Sequence, residues 1–121
     1  ADALNDERKS INGSKILILG LAYKANVDDC RESPTFVLME KLESKGAVVE
    51  YNDIFLPVIP STREHAHFTG KKSVEIEDAF DLILVSTNHD EYKSFDFSGY
   101  SCPLVDSRNC ISKKPQKYYN A

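Results

Sequence analysis

The apolar positions come in short unbroken runs separated by polar, glycine-bearing stretches. "KILILGL" opens with Ile16 to Leu19 apolar at every position, the pattern of a strand buried on both faces rather than one. Ser33-Pro34 then reads as an N-cap with proline at the first helical position, where its missing N–H costs nothing. The spacing predicts a helix to about Lys45, with Val37, Leu38, Met39 and Leu42 on or beside its inner face and Gly46 ending it. "AVVEYND" is the second strand. Strand, helix and strand make a βαβ unit, with parallel strands and a right-handed crossover. A long connection with two prolines follows, then "SVEIEDAF" as a short helix capped at Ser73. "DLILVST" is a third strand, "NHDEYKSFDF" a turn with one or two helical turns, and "CPLVDSRN" a fourth short strand. The basic, aromatic tail after Ile111 carries no clear element.

This alternation predicts a three-layer α/β/α Rossmann-like sandwich around a mainly parallel sheet of at least four strands. In such sheets ligands bind beyond the carboxyl ends of the strands, at the topological switch point. One rim then collects Gly20 to Arg31, Asn52-Asp53, Ser86 to Asp90 and Asp106 to Asn109.

Composition narrows the function. At 121 residues, 41% apolar and 28% charged, the chain has the profile of one soluble domain. A chain of this length buries roughly two thirds of its unfolded surface and needs no staples. The net charge of −4 argues against nucleic acid or an anionic membrane as partner. No apolar run approaches the roughly 18 residues of a membrane span, and no signal peptide is evident. Cys30, Cys102 and Cys110 lack ligand spacing for zinc and are odd in number, so a reducing, cytoplasmic setting is the default. A nucleophilic Cys30 is the alternative, but no histidine lies near it in sequence. "ADALNDERKSINGS" lacks an initiator Met and reads as a helix tail and turn, so a fragment of a longer chain is expected, with 1–14 as linker and 15–121 as the domain.

The candidate chemistry is anion binding. Lys24 and Arg31 stand between the first strand and a helix N-terminus, where backbone N–H groups and the helix dipole favour negative charge. Pairing among Asp28, Asp29 and Arg31 in a solvated loop is the competing reading. Arg108 follows the fourth strand beside Asp106, either as a surface ion pair or as a second cation on the rim. The loop lacks G-x-G-x-x-G, so a full dinucleotide site is weakly supported. Asp53 occupies the place of a ribose-binding acid, with an Asx-turn role equally open. His89 is a candidate for a turn or for orienting a ligand, and His65 and His67 read as ordinary loop residues rather than metal ligands. Tyr23 is placed to flank a ligand. No catalytic set is visible and no metal site is expected.

"GLAYKANVDDCRESP", "LESKGAVVEYND" and "VDSRN" together resemble the C-terminal domain of the UDP-glucose/GDP-mannose dehydrogenase family. "PVIPSTREH" and "STNHDEY" are most similar to its branch acting on UDP-N-acetylhexosamines. The resemblance implies a three-part, NAD-dependent enzyme that oxidises the sugar C6 alcohol to carboxylate for surface-polysaccharide precursors. An N-terminal domain would bind NAD, and a central helical domain would make a homodimer or higher oligomer. This domain would close over the UDP-sugar. It further implies Tyr23, Lys24 and Arg108 on the UDP-sugar, Arg31 on the NAD of the other domain, no catalytic residue here, and no nucleophilic role for Cys30. "VEYND" departs from the family's usual Tyr-Asp-Pro ending, with Ile54 where proline is common. Two other classes remain as alternatives: a receiver-type signalling domain and a stand-alone nucleotide- or CoA-binding module.

Overall fold

The computed structural model describes residues 12–22, 26, 33–61 and 65–120. Five strands form one sheet: β1 (Lys15–Leu19), β2 (Val48–Asn52), β3 (Leu82–Val85), β4 (Leu104–Asp106) and β5 (Tyr118–Asn120). Their order is β2-β1-β3-β4-β5, and every pairing is parallel. β1 is an interior strand, between β2 and β3. Leu17 pairs with Glu50 on one side and Ile83 on the other. Its side chains alternate between two cores: Ile16 and Ile18 join one, and Leu17 and Leu19 the other. Both faces of the sheet are therefore covered, which is why the run shows no polar alternation.

Helix α1 (Thr35–Ser44) begins just after Pro34, which is already helical at φ −66°. Ser33 Oγ accepts the Thr35 N–H at 3.2 Å, and Pro34 O accepts the Leu38 N–H at 3.2 Å. At the other end Gly46 takes φ +90°, and the Gly46 and Ala47 N–H groups return to Glu43 O and Leu42 O. This is the paired closure of a Schellman motif. The buried face is Thr35, Phe36, Met39 and Leu42, whereas Val37 is 45% exposed. Met39 and Leu42 face the core as expected and Leu38 packs beside it, but Phe36 rather than Val37 completes the inner face.

Residues 73–80 are not helical, contrary to expectation. Their polar groups are used elsewhere. The Val74 N–H donates to Tyr51 O at 2.9 Å, Asn52 Nδ2 donates to Val74 O at 2.6 Å, and Ser73 Oγ accepts the Asp53 N–H at 2.9 Å. Ser73 and Val74 thus satisfy polar groups at the carboxyl end of the edge strand β2, which outweighs a weak local helical preference. Helix α2 (Asp90–Ser94) supplies the short turn of helix expected after β3. β5, unassigned from sequence, is anchored through Tyr118, whose hydroxyl donates to Asp106 Oδ2 at 2.8 Å.

The long β2–β3 connection is clipped to α1. His65 stacks on Phe36 at 4.9 Å and sits 3.1 Å from Glu40 Oε1, while His67 Nε2 lies 3.9 Å from the same carboxylate. Among the described residues no group of His, Cys, Asp and Glu is arranged to hold a metal ion.

Candidate functional site

β1 connects through α1 to one side of the sheet and β3 lies on its other side, so the switch point falls beyond the carboxyl ends of these two strands. Gly20, with φ +93°, lets the chain turn away there. A Cβ at Gly20 would fall 2.4 Å from Thr87 Cβ and 2.8 Å from Thr87 N, so the close approach of the two loops requires glycine. Leu19 O accepts the Ser86 and Thr87 N–H groups at 2.8 and 3.2 Å, and Thr87 Oγ1 donates to Ala22 O at 2.9 Å.

Behind this rim lies a buried polar unit. Asp53 and His89 are both fully buried. Asp53 Oδ2 accepts the Leu21 N–H at 2.8 Å, the Ala22 N–H at 3.0 Å and His89 Nε2 at 2.9 Å. Oδ1 accepts the Phe55 N–H at 2.9 Å, closing an Asx turn. His89 Nδ1 accepts the Asn26 N–H at 2.7 Å, which assigns the ring proton to Nε2 and makes the Asp53 contact a hydrogen bond from a neutral ring. Asn26, at φ +60°, returns the tie by accepting the Asp90 N–H on Oδ1 at 3.0 Å. Burial alone would raise the Asp53 carboxyl, but the bonds from His89, Leu21 and Ala22 outweigh it and hold it below the usual carboxylate range. Burial pushes the Tyr92 phenol strongly upward; its hydroxyl donates to Asn52 O at 2.6 Å.

These contacts answer the dinucleotide question. The N–H groups of Leu21 and Ala22, which would have to face a pyrophosphate, are taken by Asp53, and Asp53 is too buried to reach a ribose. The described residues do not fit NAD as a ligand of this rim by itself.

Arg108 is on the rim. Asp106, fully buried, organises its loop by accepting the Arg108 N–H on Oδ1 at 3.2 Å and the Ile111 N–H on Oδ2 at 2.9 Å. Burial opposes ionisation of Asp106, but these N–H groups and Tyr118 hold its carboxyl low. What Asp106 binds is thus the main chain of Arg108. The guanidinium instead crosses to β3, where Nε donates to Ser86 O at 3.0 Å. Ser86 Oγ is 2.6 Å from Thr35 Oγ1 in the first turn of α1. Ser86, just after β3, therefore bridges an exposed guanidinium and the first turn of α1. Tyr23, Lys24, Arg31 and the other loop candidates, Asp28, Asp29, Cys30 and Glu32, lie outside the described residues. Sequence reasoning put Arg108 on this rim, and weighed Asp53 as a ribose-binding acid or Asx turn and His89 as a ligand-orienting or turn residue without joining the two. No local signal joins them, since they are 36 positions apart.

Residues 17–113 match the model of the UDP-glucose/GDP-mannose dehydrogenase family, UDP binding domain. The chain belongs to this family. This UDP binding domain is 37% identical over 103 residues to the UDP-N-acetyl-D-mannosamine dehydrogenase of Methanocaldococcus jannaschii, covering 85% of the chain and 21% of that protein. It is 31% identical over 114 residues to the UDP-glucose 6-dehydrogenase YwqF of Bacillus subtilis, covering 84% of the chain and 24% of that enzyme. Its fold superposes on the UDP-N-acetyl-mannosamine dehydrogenase of Staphylococcus aureus with TM-score 0.66 and 29% identity, covering 98% of the chain and 29% of that structure. The UDP binding domain thus spans less than a third of the length of these relatives, and family membership decides against the receiver-type reading.

Proposed function

We propose that this chain is the nucleotide-sugar half of the cleft of an NAD-dependent UDP-sugar 6-dehydrogenase, acting on a UDP-N-acetylhexosamine in the cytoplasm. The reaction class is oxidation of the sugar C6 alcohol to a carboxylate, feeding surface-polysaccharide synthesis. The observation that carries this reading is Ser86 holding Arg108 beside the N-terminus of α1, at the switch point of a chain from this family. A UDP diphosphate placed there meets a fixed guanidinium and a helix dipole that favour its charge.

Tyr23, Lys24 and Arg108 bind and orient the UDP-sugar in this reading, and Arg31 reaches the NAD. That cofactor is carried by an N-terminal domain of the full-length protein, in keeping with the poor fit of this rim to a dinucleotide. Residues 1–14 lead in from a central domain that makes the homodimer or higher oligomer, and the catalytic groups lie outside this chain. Closure of the domains excludes water from the cleft.

The test is NAD reduction by the full-length protein with UDP-N-acetylmannosamine, UDP-N-acetylglucosamine and UDP-glucose in parallel. Turnover is expected with an N-acetylated substrate and not with the 121-residue chain alone. Absence of turnover with all three contradicts the reading, and preference for UDP-glucose corrects the branch.

A further inference from the structure

Between the segment that follows Ser73 and helix α2 lies a cavity of about 280 Å3, walled by Ile54, Val74, Ile76 and Phe95 and by the acids Glu75 and Glu91. Asn52, the last residue of β2, also lines it, and β1 and β3 separate that strand from β4, which leads to Arg108. None of Arg108, Ser86 and Thr35 is on its wall. The polar lining is rich in free acceptors and poor in free donors. Asn52 is spent within the fold, with Nδ2 donating to Val74 O at 2.6 Å and Oδ1 lying 2.9 Å from the Tyr92 hydroxyl. Ser73 Oγ accepts the Asp53 N–H at 2.9 Å. Glu91 Oε1, by contrast, is buried and accepts no hydrogen bond. Among the described residues neither Glu75 nor Glu91 forms an ion pair. A buried acceptor without a partner costs free energy, and costs more when it is charged. Burial first, and then the charges of Asp53 and Glu75, push the Glu91 carboxyl above its ordinary value.

We propose that this cavity binds a small organic cation, an alkylguanidinium, with its charged end on Glu91 and Glu75 and its stem along the apolar wall. A guanidinium carries only donors, which matches a lining whose free groups are acceptors. It pairs with carboxylates through two parallel hydrogen bonds and stacks on aromatic faces, and Phe95 supplies a ring on the wall. Ile54, 57% exposed, is an apolar side chain that a bound stem covers. A divalent metal fits less well, because it needs several oxygen ligands in a defined shell, and no group of His, Cys, Asp and Glu among the described residues is arranged to hold one. The site goes beyond the nucleotide-sugar reading and does not depend on it, since the two share no residue named for UDP.

Butylguanidinium is the probe, and butylurea, nearly the same shape without the charge, is its control. Each is titrated by calorimetry against the full-length protein. Butylguanidinium is expected to bind with a Kd of about 1 mM or below, and butylurea at least about tenfold more weakly. Glu91→Gln keeps the size of the side chain and removes its charge, and is expected to weaken butylguanidinium about tenfold. Glu75→Gln, at an exposed position outside any helix or strand, is expected to weaken it about threefold. This second variant separates loss of the charge from any disturbance of α2. Equal affinity for the two probes, unchanged butylguanidinium affinity in either variant, or no binding to the wild type at about 10 mM would overturn the site.

Discussion

Asp53 Oδ2 and His89 Nε2 meet at 2.9 Å with neither residue exposed, and through this contact the ends of β1, β2 and β3 share one carboxylate. Removing the carboxylate strands four donors: the N–H groups of Leu21, Ala22 and Phe55 and the imidazole. Asp53→Ala is expected to lower unfolding free energy by about 3–5 kcal/mol, read from urea denaturation of the domain. A loss below about 1 kcal/mol would mean that water replaces the carboxylate without penalty.

The same carboxylate sets an acid limb. The folded Asp53 carboxyl lies below its ordinary value of 3.8. Its stabilising contribution is therefore present above that value and is lost as pH falls through the lower folded value. Asp106 behaves in the same way and in the same window. Stability measured from pH 6 downward is expected to drop in the wild type and to drop less steeply in Asp53→Asn. Identical slopes would show that Asp53 does not titrate as described.

Gly20 and Gly70 form a matched pair, with φ +93° and +86°. A Cβ at Gly70 meets nothing within 4 Å, whereas at Gly20 it collides with Thr87. Gly70→Ala should destabilise by about 1 kcal/mol, from backbone strain alone. Gly20→Ala should destabilise by about 2–5 kcal/mol, strain and overpacking together. Thermal melts of the two variants make the comparison.

Burial, reinforced by the neighbouring Asp106 carboxylate, pushes the Cys110 thiol up to about 11. Its thiolate fraction at neutral pH is then about a hundredfold below that of an ordinary protein thiol. In a Cys30→Ser background, labelling of the folded protein by a thiol reagent is expected to be slow at Cys110 and fast once urea unfolds the chain. Rapid labelling in the folded state would contradict this environment.

Much of the fold could be read from the chain because each signal was local. Ile16 to Leu19 mark a doubly buried strand, Ser33-Pro34 opens α1, and Gly46 closes it. The exceptions were decided by distant partners. Ser73 and Val74 bond to the end of β2 at Tyr51, Asn52 and Asp53, Ile76 and Asp78 bond to Tyr100 and Ser101, and β5 is three residues whose Tyr118 hydroxyl reaches Asp106. The candidate site divides in the same way. The place of Arg108 just after a recognisable strand was legible, although its partner is Ser86 O rather than the Asp106 carboxylate. The Asp53–His89–Asn26 unit was not, since it exists only once three strand ends are side by side.

The central claim is that the rim built around Arg108, Ser86 and the first turn of α1 receives the diphosphate of UDP. Titrating UDP and uridine against the full-length wild type and Arg108→Ala tests it most directly. Arg108→Ala is expected to weaken UDP about tenfold or more, for loss of a charge-assisted contact, and to leave any affinity for uridine unchanged. Equal affinity of wild type and Arg108→Ala for UDP would contradict it.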